Sequence, residues 1–197
     1  MDYTPLIDEV RGHVRSGTAL LKPHRLVACI GSRMALSLFV NATEPSEALV
    51  GATTSEAIGL DLLRSKEADL LICTDRLEQG NGGSLVESAK QLQPAPTTLM
   101  VVTQPRRLIT IRRAFEAGCD GICLESQIGL GTVVMALQTV SAGASYMEKG
   151  LHQQYFQGYC GLADAPLAQL TEREVEVLQR MTANATNQEI AADLFIS

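Results

Sequence analysis

No two cysteines in this chain stand in C-x-x-C spacing, and their number is odd: Cys29, Cys73, Cys119, Cys123 and Cys160. That excludes a disulfide framework or a thiol-redox motif as the organising device and makes a reduced cytosol the expected compartment. Cys29, Cys73 and Cys123 fall in predicted buried strands, where cysteine behaves as a small hydrophobe. Nothing at the N-terminus reads as a secretory signal, because Asp2, Asp8 and Glu9 stand where an apolar segment is needed. Long apolar spans are scarce as well. The longest charge-free run, residues 127–147, is broken by Gly129, Gly131 and Gly143, two glutamines and several hydroxyls, which makes it too polar to cross a membrane. Positive charge is short: 16 Lys and Arg against 22 Asp and Glu give a net charge of −6. His13, His24 and His152 are scattered without metal-ligand spacing, so no metal site is expected. No Ser/His/Asp set or paired carboxylates stand out, so neither a catalytic residue nor a cofactor is assigned, and an enzyme is not expected. Gly80-Asn81-Gly82-Gly83 lacks the Gly-Lys-Ser/Thr of a phosphate-binding loop and reads as a turn.

An apolar fraction of 46% supplies a sizeable core. Between residues 25 and 147, short apolar runs alternate with amphipathic stretches. RLVACI (25–30) precedes 34–41, 48–52 precedes 55–66, and 69–74 precedes 84–93. TLMVVT (98–103) then precedes 107–117, and GICL (121–124) precedes 129–141. This rhythm predicts an α/β fold, a parallel sheet covered by helices on both faces, with any ligand at the carboxyl ends of the strands. Residues 5–21 make a further helix, with Leu6, Val10 and Val14 on one face, in an N-terminal extension that reaches residue 24. Residues 148–169, with Gly150, Gly158, Gly161 and Pro166, read as a linker.

The last 28 residues, LTEREVEVLQRMTANATNQEIAADLFIS, hold two T-x-x-E capping boxes, at Thr171–Glu174 and Thr186–Glu189. In each, the threonine hydroxyl meets a free helix amide and the glutamate reaches back, a cap worth about 1 kcal/mol. Val175, Val177, Leu178 and Met181 line the first predicted helix; Ile190, Ala191, Leu194 and Ile196 line the second. The pattern Leu-Thr-x-Arg-Glu-x-Glu-Val-Leu, followed by Asn-x-Glu-Ile-Ala-x-x-Leu-x-Ile-Ser, resembles the LuxR/NarL-type helix-turn-helix over 170–197. In that family Ser197 stands just ahead of the recognition helix, so the resemblance implies a partial all-α helix-turn-helix in which that helix is absent. Residues 151–197 carry six acids against Arg173 and Arg180. DNA affinity needs phosphate neutralisation, so this segment by itself is expected to bind DNA poorly. Thr186, Asn187 and Gln188 are the candidates for contact with the DNA backbone.

A five-fold β-α unit ahead of such a segment resembles a response regulator with a flavodoxin-like receiver, here residues 25–147. The family's receiver is phosphorylated on an aspartate ending the third strand. Two acids after the first strand hold Mg²⁺, a Thr or Ser ends the fourth strand, and a Lys ends the fifth. In this chain Gly31 and Ser32 replace the acids, Glu125 replaces the lysine, and Thr103 keeps its type. Aligning Asn81-Gly82 puts Thr74 at the acceptor position, whereas the distances to Thr103 and Glu125 put Asp75 there. Either way a phosphoryl group would lack its metal ligands and meet an extra carboxylate. The expectation is a phosphorylation-deficient pseudo-receiver in a cytoplasmic transcription regulator that binds DNA through a complete helix-turn-helix. Receivers of this kind often dimerise through their fourth and fifth, or first and fifth, helices, so a homodimer is expected. Arg106, Arg107, Arg112 and Arg113, with Val133 and Leu137 on the uncharged fifth helix, are the candidate dimer or partner surface; the N-terminal helix folding over that helix would also account for its lack of charge. The alternative is a non-DNA-binding adaptor that recruits a protein partner through the pseudo-receiver.

Overall fold

The computed structural model describes residues 2–105 and 108–151. The chain opens with one 3-10 turn, Thr4–Leu6, that runs into helix α1, Ile7–Leu21. Then β1 (Leu26–Cys29), α2 (Arg33–Thr43), β2 (Leu49–Thr53), α3 (Glu56–Ser65), β3 (Leu70–Thr74) and α4 (Gly82–Lys90) alternate. They continue with β4 (Thr97–Val102), α5 (Leu108–Glu116), β5 (Gly121–Leu124), α6 (Thr132–Ser141) and β6 (Tyr146–Met147). The strands form one parallel sheet in the order β2-β1-β3-β4-β5-β6.

The central strands are buried on both faces, and their side chains sort with a period of two into two apolar layers. Val27, Cys29, Leu71, Cys73, Met100, Val102 and Ile122 meet Leu63 of α3, Leu85 and Val86 of α4, and Ile111 of α5. Leu26, Leu70, Ile72, Leu99 and Cys123 face the other way, toward Leu21 of α1, Phe39 of α2, and Ala136 and Leu137 of α6. Burial pushes the thiols of Cys29 and Cys123 up to about 12 and that of Cys119 up to about 11, with Cys73 also far above its ordinary range. These four cysteines are free and buried, with no thiolate character at neutral pH.

The structure departs from the sequence expectation at several edges. The predicted helix at 129–141 begins only at Thr132, because Gly129 and Gly131 take φ of 89° and 88°, outside the right-handed helical region. The helix predicted at 84–93 starts two residues earlier, where the Asn81 side chain accepts from Ser84 N at 2.9 Å and caps it. Strand β6 was not anticipated. Tyr146 N donates to Asp120 O at 2.8 Å and Glu148 N to Ile122 O at 3.0 Å, extending the sheet past β5. Leu151 then inserts into the α3–α5 layer at 1% exposure, so residues 148–151, expected as linker, belong to this compact unit. The helix-turn-helix expected at 170–197, with its two capping boxes, lies outside the described residues.

Helix α1 explains the uncharged α6. Val10 lies against Gly129, His13 against Gly131 and Gly17 against Val134. His13 Nδ1 donates to Gly129 O at 2.9 Å, a bond that fixes the tautomer because a carbonyl can only accept. Leu137 is buried against the sheet and Val133 packs on the same cluster. The dimer surface expected at Val133 and Leu137 is therefore corrected: that side of α6 is consumed within the subunit. Among the described residues no helix is long and apolar enough to cross a membrane.

Candidate functional site

The carboxyl ends of β1, β3, β4 and β5 meet at one rim of the sheet, the place where open α/β folds hold ligands. Thr74 closes β3, and its side chain has the same parity as Leu70 and Ile72, toward the layer that α2 covers. Gly31 N donates to Thr74 Oγ1 at 2.9 Å, and the Thr74 hydroxyl donates to Arg76 O at 2.7 Å. The turn after β1 and the loop after β3 are thus joined by a neutral chain from amide to hydroxyl to carbonyl. Gly31 makes this approach possible. A Cβ built there would lie 2.9 Å from both the Arg76 carbonyl carbon and Leu77 Cα, and closer still to the Arg76 oxygen. Ser32 is occupied otherwise, its hydroxyl accepting from Ala35 N at 3.3 Å as the N-cap of α2.

Asp75, one residue further, points the opposite way. One carboxylate oxygen accepts from Thr103 N at 2.7 Å and Thr103 Oγ1 at 2.8 Å, and the other from Gln104 N at 3.2 Å. At 3% exposure this carboxylate is a staple between β3 and the turn after β4. Glu125 follows β5 at the head of a one-turn 3-10 helix, Glu125–Gln127, with an exposed side chain. The pairing of Val102 with Leu124 sets Thr103 and Glu125 at neighbouring strand ends.

The loop from Asp75 to Asn81 is held at many points. Leu77 anchors it in the core. Glu78 N donates to Thr54 O at 3.0 Å, Glu56 N to Gln79 O at 2.9 Å, and Asn81 N to Glu56 Oε2 at 2.8 Å. Above it, the Arg33 guanidinium grips Glu78 at 2.8 and 3.2 Å, and the Thr54 hydroxyl adds a bond at 2.7 Å. Arg33, then Thr54, hold the Glu78 carboxyl below the usual carboxylate range. Sequence reasoning missed Arg33, Glu78 and Glu56. Residues 33 and 78 pair across 45 positions with no local pattern to announce them.

A receiver's Mg²⁺ does not fit these residues. Position 31 has no side chain and no room for one, and the Ser32 and Thr74 hydroxyls are committed to the protein. Among the described residues, no group of three or more His, Cys, Asp or Glu could hold a metal ion. Of the basic candidates, Arg112 pairs with Glu116 at 2.7 Å, and Arg113 with Glu87 at 3.2 Å and Ser84 Oγ at 2.7 Å. Arg106, Arg107, Thr186, Asn187 and Gln188 lie outside the described residues.

Residues 168–197 match the family described as bacterial regulatory proteins, luxR family. The virulence-factor regulator BvgA of Bordetella pertussis is 25% identical over 150 residues, covering 76% of this chain and 71% of the relative. The Fimbriae Z protein of Escherichia coli K12 is 23% identical over 149 residues, covering 76% and 70%. Among solved structures, RcsB of Salmonella enterica serovar Typhimurium bound to a promoter aligns with TM-score 0.57 at 17% identity, over 88% of this chain and 84% of that one. A LuxR-family response regulator from Aurantimonas sp. SI85-9A1 aligns with TM-score 0.57 at 16% identity, over 68% and 97%. The fold is that of a response-regulator receiver. With a luxR-family segment behind it, the chain has the arrangement of a LuxR-type response regulator.

Proposed function

We propose that this protein is a cytoplasmic, homodimeric transcription regulator whose receiver is not switched by aspartyl phosphorylation. The luxR-family match at 168–197 behind a receiver fold carries the first half of the reading, and RcsB, its structural relative, is a promoter-bound protein. DNA contact falls to the helix-turn-helix, where Thr186, Asn187 and Gln188 offer amides and polar side chains to backbone phosphates. The expected result of cross-linking the protein to DNA in its own cells is enrichment at particular promoters. A stable complex with another protein and no promoter enrichment would establish the adaptor reading instead, which the acidity of residues 151–197 favours.

The second half rests on the Gly31–Thr74–Arg76 hydrogen-bond chain. Thr74 faces the turn after β1, where the family's metal and acceptor meet, and a hydroxyl at that place cannot form an acyl phosphate. Asp75, the acid next to it, is turned to Thr103 and fully engaged. Phosphoryl transfer depends on a cation and a positive side chain to offset charge on the transferring oxygens. Gly31 and Glu125 supply neither. Incubation with acetyl phosphate and Mg²⁺ is expected to leave the intact mass unchanged. A phosphoryl adduct that disappears in Asp75→Ala would refute this half of the proposal.

A further inference from the structure

Helix α1 covers the head of α6 with little to hold it there. Of its fifteen residues only Leu21, at the carboxyl end, is buried. Leu20 and Leu21 pack into the layer that α2 and α6 cover, and Thr18 Oγ1 donates to Ala42 O at 3.1 Å. Toward the amino end the contacts thin out. Val10 rests on Gly129, His13 Nδ1 donates to Gly129 O at 2.9 Å, and the Tyr3 hydroxyl reaches Ile128 O at 3.5 Å. Water replaces both bonds when they open, so each holds the helix weakly. Asp8, Glu9, Arg11 and Arg15 are exposed. The N-cap position is Leu6, which offers no side-chain acceptor to the first turn.

Gly12 and Gly17 weaken the helix further, because glycine inside a helix is less stable than alanine. Close packing is the usual reason to keep one, and it does not apply here. A Cβ at Gly12 meets nothing within 4 Å, and one at Gly17 meets only Val134 Cγ2 at 3.9 Å, an ordinary contact. Alanine fits at both positions. Two breaks of local helix preference without a gain in packing point to a function that needs the helix weak. We infer that residues 4–17 are a strap, pinned at Leu20 and Leu21, that lifts from α6 as a unit while the sheet stays folded. Off its seat the strap unwinds, since a helix of this length with two glycines and no cap is not stable alone in water. Lifting uncovers Gly129, Gly131 and Val134, at the head of a helix without a charged residue. Whatever docks on that face binds in proportion to the open fraction, so the two glycines set how readily α6 is reached.

Hydrogen exchange on the full chain tests this. The amides of residues 11–17 are expected to share one opening, and to exchange at least about a hundredfold faster than those of β1 and β3. Gly12→Ala/Gly17→Ala is expected to slow them together by about tenfold, as roughly three- to fivefold for each alanine multiplies. Trypsin cleavage after Arg11 and Arg15 needs the same opening and should slow by the same factor. Gly12→Ala alone, which touches nothing, must give its own three- to fivefold or so. Protection of residues 11–17 equal to that of β1 and β3 overturns the strap. A rate that grades smoothly along the helix, the mark of simple end fraying, overturns it too. Unchanged exchange in the alanine variants shows that the glycines do not govern the opening, and sinks the inference.

Discussion

Gly31→Asp, the substitution that would return an acid to the turn after β1, is expected to destabilise the protein by about 3 kcal/mol or more and to bring no response to Mg²⁺. The first part of that cost is steric. Any Cβ at position 31 falls under 3.0 Å from the Arg76 carbonyl and Leu77 Cα, backbone atoms that cannot swing aside like a side-chain tip. Forcing extra atoms into such a contact typically costs about 1–3 kcal/mol. The second part is electrostatic. The new carboxylate would sit against the Arg76 carbonyl oxygen, an acceptor that repels it and offers it no hydrogen bond. Relief requires the loop to lift, breaking the Thr74–Arg76 bond and withdrawing Leu77 from the core. With a urea m-value of about 2 kcal/mol/M, the unfolding midpoint should fall by roughly 1.5 M. Gly31→Ala isolates the steric share and should fall by less. Stability equal to wild type, with a further rise on adding Mg²⁺, would show that the loop opens easily and that the site tolerates a cation.

This expectation marks where sequence reading stops. The strands were legible because continuous apolar runs such as LVAC and LLICT are what a sheet covered on both faces requires, and the stretches between them were amphipathic. The missing acid at Gly31 was equally plain. What filled its place was not, because the replacement is the Arg76 backbone carbonyl, and every residue has one. The choice between Thr74 and Asp75 stayed open in the sequence for a related reason. Adjacent residues at a strand end point to opposite faces, and a one-residue difference in alignment exchanges them. Only the bonds themselves separate the two, Thr74 to Gly31 and Asp75 to Thr103. Helix α1 as the cover of α6 was one of two readings that the missing charge left open, and the contact of His13 with Gly129, across 116 residues, is what decides it. Strand β6 escaped because two residues, Tyr146 and Met147, give no period to read.

Asp75 carries the second large effect, and its sign separates a structural carboxylate from a signalling one. Asp75→Ala removes the acceptor for the Thr103 amide, the Thr103 hydroxyl and the Gln104 amide together. A donor left unpaired in a buried site costs about 1–3 kcal/mol, and Thr103 N and Gln104 N are backbone groups with no rotamer to escape by. Partial hydration at the rim softens the total, so a loss of about 2–4 kcal/mol is expected, with the amides of Thr103 and Gln104 exchanging faster with solvent than in the wild type. Asp75→Asn keeps one carbonyl oxygen in place and should recover roughly half, because it forfeits the charge-assisted part and must turn its own amide toward one of the donors. An acceptor aspartate held for signalling would behave otherwise. It would be restrained by few contacts so that its oxygen stays free to attack, and its removal would leave folding stability nearly unchanged. Equal urea midpoints for wild type and Asp75→Ala would therefore contradict the staple described here and return Asp75 to the list of reactive groups.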